Sequence, residues 1–232
     1  MDADAQKKAA ALRALDFVED GMALGLGTGS TAEHFVHGLA GRVREGLKVR
    51  CVPTSDRTDA LARKLGLAVT DLDDMPHLDL TIDGADELDA RLRLIKGGGG
   101  ALLREKIVAS ASRRMIVIAD ASKKVDTLGR FPLPVEVVPF GARVTAEKLV
   151  AVAKDHGCAG EISRRADQYG EPFLTDSNNF IYDCAFGRIK DPEGLALALN
   201  ALPGVVDNGL FIGMASLAIV GGPDGAYLIE SA

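Results

Sequence analysis

The residues best suited to chemistry fall in three short motifs, of which two come at the end of an apolar run that predicts a strand and the third directly precedes a predicted helix. The first is the glycine-rich turn 25–31, with the sequence GLGTGST. Its glycines let the backbone approach a ligand closely, and the predicted helix that follows offers free N–H groups and the positive end of its dipole. Ser30 and Thr31 add hydroxyl donors. The turn therefore indicates a cradle for a phosphate anion, with a purely structural tight turn as the alternative.

The same turn lacks one residue of the dinucleotide-binding fingerprint. That pattern, G-x-G-x-x-G, requires a third glycine where this chain has Ser30. The second predicted strand also runs into the sequence CVPTS at 51–55, without an acidic residue placed to bind a ribose. A nicotinamide cofactor is therefore disfavoured.

The second motif, DGADE at 83–87, places three acidic residues within five positions after a predicted strand. Such a cluster is unfavourable unless acid–base chemistry or Mg²⁺ binding uses it. Asp83 and Asp86 are its candidate functional residues. The alternative is a solvated acidic turn.

The third motif is Lys96 followed by four consecutive glycines and a predicted helix. The glycines lose much conformational entropy on folding, which indicates backbone passing next to a ligand. Lys96 can supply a cation to a developing oxyanion. Glu105 falls in the first turns of the helix, where the dipole favours its carboxylate form, although an ordinary surface glutamate is the alternative. Lys123 and Lys7 are weaker candidates for contacting an anion.

The composition limits the classes of function. The 232 residues are 47% hydrophobic and 26% charged, as in an ordinary globular protein. A net charge of −6 disfavours nucleic acid as a partner. No apolar run approaches the about 20 residues that cross a bilayer, and the acidic start is unlike a secretory signal, so we expect a cytoplasmic protein with no membrane partner. The three cysteines form no CxxC pair and the four histidines no ligand cluster, so we expect no metal site.

Strands and helices alternate through the first half of the chain. Apolar runs at 22–26, 47–52, 78–82 and 115–119 alternate with helical patterns at 6–17, from 30 onward, at 58–65 and at 101–112. This alternation predicts a parallel sheet with helices on both faces, which binds ligands beyond the carboxyl ends of its strands. From 135 to 211 the order becomes β-α-β-β-α-β, which is ferredoxin-like, with 205–211 as its last strand. Two further runs at 216–220 and 226–229 are expected to rejoin the first sheet.

We therefore predict an α/β fold with a Rossmann-like parallel-sheet domain and an inserted ferredoxin-like α+β domain. The first comprises 1–130 plus 208–232 and carries the catalytic residues. The second comprises 131–207 and serves as a lid or oligomerisation domain.

Together, the motifs resemble the type A family of ribose-5-phosphate isomerases. The resemblance rests on GTGST at 27–31, DGADE at 83–87, KGGGG at 96–100 with REK at 104–106, and ADASK at 119–123. It implies a cofactor-free enzyme of the non-oxidative pentose phosphate pathway that interconverts D-ribose 5-phosphate and D-ribulose 5-phosphate. It also implies a homodimer or a dimer of dimers with a small-molecule substrate.

The resemblance further implies roles for individual residues. Glu105 matches the family's proton acceptor, and Lys7 matches a position that we connect with the phosphate. The other implied substrate-site residues are Thr28, Gly29, Ser30, Thr31, Asp83, Gly84, Ala85, Asp86, Lys96, Gly97, Gly98, Gly99 and Lys123. We expect Glu105 to act through an enediolate and Lys96 to stabilise the charged oxygen, while Asp83 and Asp86 move protons and open the furanose ring.

Two other functions on related folds compete with this interpretation. A sugar-phosphate deaminase is expected to have a catalytic histidine in the site, and none of the four histidines lies in a motif. A non-catalytic sugar-phosphate sensor would not need Lys96 and Glu105 together, and no basic helix-turn-helix pattern precedes Gln6.

Overall fold

The computed structural model describes residues 1–230 and contains helices and strands in alternation. The helices are α1 (Ala3–Ala14), α2 (Ser30–Arg44), α3 (Asp56–Lys64), α4 (Leu102–Ser110), α5 (Ala142–Asp155) and α6 (Pro192–Asn200). The strands are β1 (Ala23–Leu26), β2 (Arg50–Pro53), β3 (Leu80–Gly84), β4 (Glu87–Leu88), β5 (Leu94–Ile95), β6 (Met115–Asp120), β7 (Leu133–Val137), β8 (Glu161–Arg164), β9 (Phe180–Ala185), β10 (Val205–Asn208), β11 (Leu210–Phe211), β12 (Ala215–Gly222) and β13 (Gly225–Glu230).

The helices begin in two different ways. Asp2, Ser55 and Asp191 each accept a hydrogen bond from a backbone N–H in the first turn of α1, α3 and α6, which satisfies a donor that the helix itself leaves free. By contrast, α2 and α4 begin at Gly29 and Ala101 without a side-chain cap. Both of these uncapped helices start next to the motifs singled out in the sequence. None of the helices in residues 1–230 is long and apolar enough to cross a bilayer.

The large sheet has six strands in the order β13-β12-β6-β3-β1-β2, and all neighbours are parallel except β12 and β13. Its central strands are buried on both faces, as an all-apolar run predicts. Along β6, Ile116 and Ile118 belong to the cluster that includes Phe35 of α2. Val117 and Ala119, which point to the opposite face, belong to the cluster that includes Phe211. Strands β12 and β13 rejoin this sheet, as the sequence predicts.

The second sheet is antiparallel and has the order β10-β7-β9-β8. In chain order its strands are connected as β-α-β-β-α-β, with α5 after β7 and α6 after β9, which is the ferredoxin-like arrangement. The helices cover it through an apolar core that includes Val135, Leu149 and Leu195. The predicted fold class, a Rossmann-like parallel sheet with an inserted ferredoxin-like unit, is confirmed.

One prediction about the strands is wrong. The run 205–211 is not a single strand, because β10 pairs with β7 whereas β11 pairs with β5 in a small third sheet of order β11-β5-β4. The change occurs at Gly209, whose N–H donates to Pro134 O at 2.8 Å and whose carbonyl accepts from Lys96 N at 2.9 Å. The third sheet was not predicted, since its strands of two residues are too short to show alternation.

Candidate active site

The three sequence motifs meet at the edge of the large sheet where β1 and β3 end. Gly27, just after β1, donates its N–H to Ile82 O at 2.9 Å, which keeps the glycine-rich turn beside β3. Asp83 lies near the end of β3, Lys96 follows β5 directly, and Glu105 lies in the first turn of α4. The parallel pairing of β1 with β3 brings the first two motifs together, and Lys96 and Glu105 reach the same edge from β5 and α4.

The first part of the site is an anion cradle at the start of α2. Gly29 has a φ of 111°, a left-handed conformation that favours glycine, and it leaves the N-terminal N–H groups of a 15-residue helix without a side-chain cap. Lys7 reaches over from α1 and donates to Ser30 Oγ at 3.0 Å. Lys123, at the end of a 3₁₀ turn, lines the same cavity. Two ammonium groups and a helix N-terminus together suit a phosphate.

Thr28 has a different position from its neighbours in the turn. Its hydroxyl lies within hydrogen-bonding distance of Thr54 Oγ1 (2.8 Å), Ser55 Oγ (2.8 Å) and Thr58 Oγ1 (3.2 Å). Its N–H donates to Asp83 Oδ1 at 3.2 Å. The hydroxyl is thus occupied within the protein, so Thr28 fixes the turn and orients Asp83. The three partner hydroxyls were not singled out in the sequence, where nothing distinguishes them from ordinary capping residues.

The centre of the site is a buried group of three ionisable side chains. Lys96 Nζ lies 3.0 Å from Asp83 Oδ2 and 3.2 Å from Glu105 Oε1, and it donates to Gly84 O at 2.6 Å. Lys96, Asp83 and Glu105 are 2%, 0% and 4% exposed, so water screens their interactions little. Glu105 Oε2 is also buried and has no hydrogen-bond partner within residues 1–230. An unpartnered buried carboxylate oxygen is costly, which points to a use beyond folding.

The shared burial shifts the pKa values of this group. The pKa of Glu105 is raised to about 8 because the carboxylate is desolvated and because Asp83 carries a like charge nearby, while Lys96 acts in the opposite direction. Burial likewise raises the pKa of Asp83, against the attraction of Lys96. Burial lowers the pKa of Lys96, but the two carboxylates outweigh it and the net shift is upward. A carboxyl that titrates near neutral pH beside a permanent cation suits proton transfer.

The glycine loop, defined here as residues 97–100, forms the remaining wall. Gly98 N–H donates to Asp86 Oδ2 at 2.7 Å, which places this second acid opposite the buried group. The cavity between these walls has a volume of about 110 Å³ and is lined by Lys7, Thr28, Gly29, Ser30, Thr31, Gly84, Ala85, Asp86, Lys96, Gly97, Gly99, Glu105 and Lys123. Asp83 and Gly98 contact these lining residues directly. All of the candidate site residues from the sequence therefore lie together.

No side chain fits between the glycine-rich turn and β3 at Gly27. A Cβ atom there would lie 2.1 Å from Asp83 Oδ1 and 2.5 Å from Asp83 Cα. We expect Gly27→Ala to reduce the free energy of unfolding by about 1–3 kcal/mol, because the backbone of β3 has to move. Gly41→Ala is the matched control: it lies in α2 with no atom within 4 Å of its Cβ position, and we expect it to stabilise by about 0.5–1 kcal/mol. Urea unfolding measures both, and equal effects would contradict the close approach at Gly27.

One further residue at the site was missed in the sequence. Arg165, in the segment after β8, donates to Gly97 O at 2.9 Å and to Gly98 O at 3.2 Å. In the sequence it follows Arg164 and is indistinguishable from a solvated basic residue. Only the tertiary contact between the second sheet and the glycine loop reveals it.

A larger groove lies beside the site but lacks its chemistry. It has a volume of about 770 Å³ and is lined in part by α3 and α4. None of the ionisable side chains that line it is buried. Its arginines form surface pairs, Arg63 with Asp59 at 2.8 Å and Arg104 with Asp56 at 2.7 Å. Within residues 1–230, no group of three or more His, Cys, Asp or Glu side chains is arranged to bind a metal ion.

Comparisons with known proteins agree on one family. Residues 50–225 match the family described as ribose 5-phosphate isomerase A (phosphoriboisomerase A). The ribose-5-phosphate isomerase A of Parvibaculum lavamentivorans is 70% identical over 231 residues, and that of Sinorhizobium fredii is 60% identical, each covering 100% of both chains. A solved ribose 5-phosphate isomerase from Plasmodium falciparum is 39% identical with a TM-score of 0.93, covering 98% of each chain. A D-ribose-5-phosphate isomerase solved in complex with phospho-erythronic acid is 37% identical with a TM-score of 0.92, covering 99% of this chain and 100% of that one.

Proposed function

The chain belongs to the ribose 5-phosphate isomerase A family, and from that premise we propose that Glu105 is the base of the reaction. The protein is an aldose–ketose isomerase that interconverts D-ribose 5-phosphate and D-ribulose 5-phosphate, a reaction of the pentose phosphate pathway. One observation supports the choice of base above the others. Glu105 lines the cavity, and its Oε2 is buried without a partner in the described chain, while its Oε1 lies 3.2 Å from Lys96 Nζ.

In this mechanism, Glu105 takes the proton from C2 of the open-chain aldose and returns it to C1. The electron pair left behind forms an enediolate, so negative charge develops on the sugar oxygens. Lys96 is the group that stabilises this charge, since it is cationic, buried and 3.2 Å from the base. Because the ammonium is already held in place by Asp83 and Gly84 O, little reorganisation is needed as the charge develops.

Asp83 and Asp86 act on the oxygens in the same proposal. Moving a carbonyl from C1 to C2 requires one oxygen to gain a proton and the other to lose one, and opening the furanose ring requires similar transfers. Asp83 is oriented by the N–H groups of Thr28 and Gly84, at 3.2 and 2.7 Å, and Asp86 by that of Gly98. Each carboxylate is thus fixed by backbone donors at the edge of the cavity.

The phosphate is assigned to the cradle at the start of α2. Ser30, Thr31, Lys7 and Lys123 line this part of the cavity, and the backbone of Gly29 opens it. The remaining lining residues, Gly84, Ala85, Gly97 and Gly99, contribute backbone surface along the sugar. We expect phospho-erythronic acid to bind here as well, with its phosphate in the cradle and its carboxylate near Lys96.

Three broader proposals accompany the site. We propose a homodimer or a dimer of dimers, supported by two apolar side chains in or beside the helices of the second sheet, Phe140 and Leu197, which are 94% and 76% exposed. We propose a cytoplasmic location for this enzyme of sugar metabolism. We also propose 1–130 plus 208–232 and 131–207 as its domains, the second acting as lid or oligomerisation unit, supported by the separate cores of the two larger sheets.

The pH dependence of activity tests the assignment of the base. Because Glu105 has to be ionised to accept a proton and its pKa is about 8, we expect kcat/KM to fall tenfold per pH unit as the pH decreases below about 8. The measurement is the initial rate of ribulose 5-phosphate formation from ribose 5-phosphate between pH 6 and 9.5, in the presence of EDTA. A flat profile down to pH 6 would contradict Glu105 as base. If the rate without EDTA were lost when EDTA is added, a mechanism without metal would be contradicted.

A further inference from the structure

Arg165 directly follows β8 of the second sheet, yet its guanidinium contacts the glycine loop at the edge of the first. One nitrogen, Nη1, donates to both Gly97 O and Gly98 O, at 2.9 and 3.2 Å. The side chain is only 14% exposed. No other side chain within residues 1–230 donates to these two carbonyls. The arginine therefore fixes two consecutive peptide groups of the loop.

The direction of these carbonyls determines the direction of two N–H groups. In a trans peptide the C=O and the N–H point in opposite directions, and residues 1–230 contain no cis peptide. The N–H opposite Gly97 O is that of Gly98, which donates to Asp86 Oδ2 at 2.7 Å. The N–H opposite Gly98 O is that of Gly99, a residue that lines the cavity. No acceptor in the described chain receives this second N–H.

Arg165 is itself held rigidly. Its Nε and Nη2 donate to the two oxygens of Asp183 on β9, at 2.8 and 2.5 Å, a bidentate pair with defined geometry. The guanidinium also lies 5.7 Å from the centre of the Phe173 ring. Phe173 in turn packs where a Cβ on Gly100 would lie, 2.4 Å from that position. Arg165, the carboxylate of Asp183 and the ring of Phe173 thus form a fixed support for the glycine loop.

We propose that Arg165 is a positioning residue for the isomerisation. It orients the peptide groups 97–98 and 98–99 so that Gly98 N–H holds Asp86 and Gly99 N–H donates to the enediolate oxygen. This inference rests on the proposed function of the same site. In this proposal the enediolate is stabilised by two groups, the ammonium of Lys96 and the neutral N–H of Gly99. The glycine loop supplies that N–H, and Arg165 orients it.

The test compares Arg165→Met with Arg164→Met. The methionine keeps an apolar stem beside Phe173 but cannot donate to the loop. Arg164 lies 5.1 Å from the centre of the Phe180 ring, and within residues 1–230 it donates no hydrogen bond to Gly97 O or Gly98 O. We expect Arg165→Met to lower kcat by about 10- to 100-fold through misplacement of the loop. The KM is expected to stay near the wild-type value, because the phosphate cradle is unchanged. Arg164→Met is expected to retain the wild-type kcat.

A binding measurement separates positioning from general loss of structure. By calorimetry, Arg165→Met should bind phospho-erythronic acid more weakly but inorganic phosphate as tightly as the wild type does, and Arg165→Lys should recover part of the lost kcat. Unchanged kcat in Arg165→Met, or equal losses of affinity for both ligands, would overturn the inference. If Glu105→Gln stays active while Arg165→Met does not, the assignment of the base fails and the role of the arginine stands.

Discussion

Replacing Glu105 by glutamine is expected to lower kcat by about 10²- to 10⁴-fold, the range typical for loss of a general base. The substitution preserves the shape of the side chain but removes its ability to accept a proton from C2. Binding should survive, because the phosphate cradle lies apart from this carboxylate. The measurements are the steady-state rate with ribose 5-phosphate and the calorimetric affinity for phospho-erythronic acid.

Glu136→Gln is the matched control for burial. Glu136 on β7 is 1% exposed and has an unpartnered Oε2 within residues 1–230, like Glu105, but it does not line the site cavity. Its Oε1 accepts from Thr175 and Asn179, each at 2.9 Å, which indicates a structural role. We expect the kcat of Glu136→Gln to remain close to that of the wild type. Equal losses in both variants would show that burial of the charge, and not proton transfer, is responsible.

Glu105→Gln is also expected to change how the free energy of unfolding depends on pH. The pKa of Glu105 is raised from 4.5 to about 8 in the folded protein, so the folded state binds more protons than the unfolded state between these values. The free energy of unfolding therefore decreases as the pH rises from 4.5 to 8. Glutamine does not titrate, and we expect this part of the pH dependence to disappear in Glu105→Gln. Urea unfolding at several pH values measures the difference.

Lys96→Met is expected to have the second largest effect, on both catalysis and stability. Loss of the ammonium leaves Asp83 and Glu105 buried without their counter-charge, and breaking such an interaction typically destabilises by about 3–5 kcal/mol. The kcat should fall by about 10²- to 10³-fold, as on removal of an oxyanion donor. The pKa of Glu105 should rise further, so the remaining activity shifts to higher pH, and the pH profile records this shift.

Lys106→Met provides the control for loss of a paired lysine, since Lys106 is half-buried. Lys106 Nζ lies 4.9 Å from the centre of the Phe211 ring, and Lys96 Nζ lies 5.5 Å from the same ring. Lys106 pairs with Asp207 at 2.7 Å but does not line the cavity. We expect a loss of stability with little change in kcat. Should Lys106→Met lose as much kcat as Lys96→Met, the effect at Lys96 would be structural.

Much of the site follows from the sequence because parallel strands end at one edge of their sheet. The apolar runs before Gly27 and Asp83 predict such strands, and the loops after them have to meet there. The four glycines after Lys96 similarly predict backbone beside a ligand. These inferences need only local patterns and the geometry of a parallel sheet, and the cavity contains the residues they select.

Other features depend on contacts that no local pattern encodes. In the sequence, Arg165 and its neighbours are typical of the protein surface. Only the approach of the second sheet to the glycine loop brings the side chain of Arg165 into contact with that loop. The run 205–211 contains Asp207, Asn208 and Gly209, residue types that are typical of a turn, but no local pattern shows that the chain changes strand partner there. The resemblance implies that Thr28 lines the substrate site, but nothing in the sequence shows that its hydroxyl is occupied by those of Thr54, Ser55 and Thr58.

The change of partner at Gly209 has a mechanical consequence for the enzyme. Gly209 is bonded on one side to Pro134 of the second sheet and on the other to the backbone of Lys96. A hinge motion of the second unit as a rigid body would pull on Lys96 or break these bonds. We therefore expect access for the sugar to come from small movements at the cavity mouth, with the two sheets moving together. Of the two roles proposed for the second unit, these bonds favour oligomerisation over that of a lid.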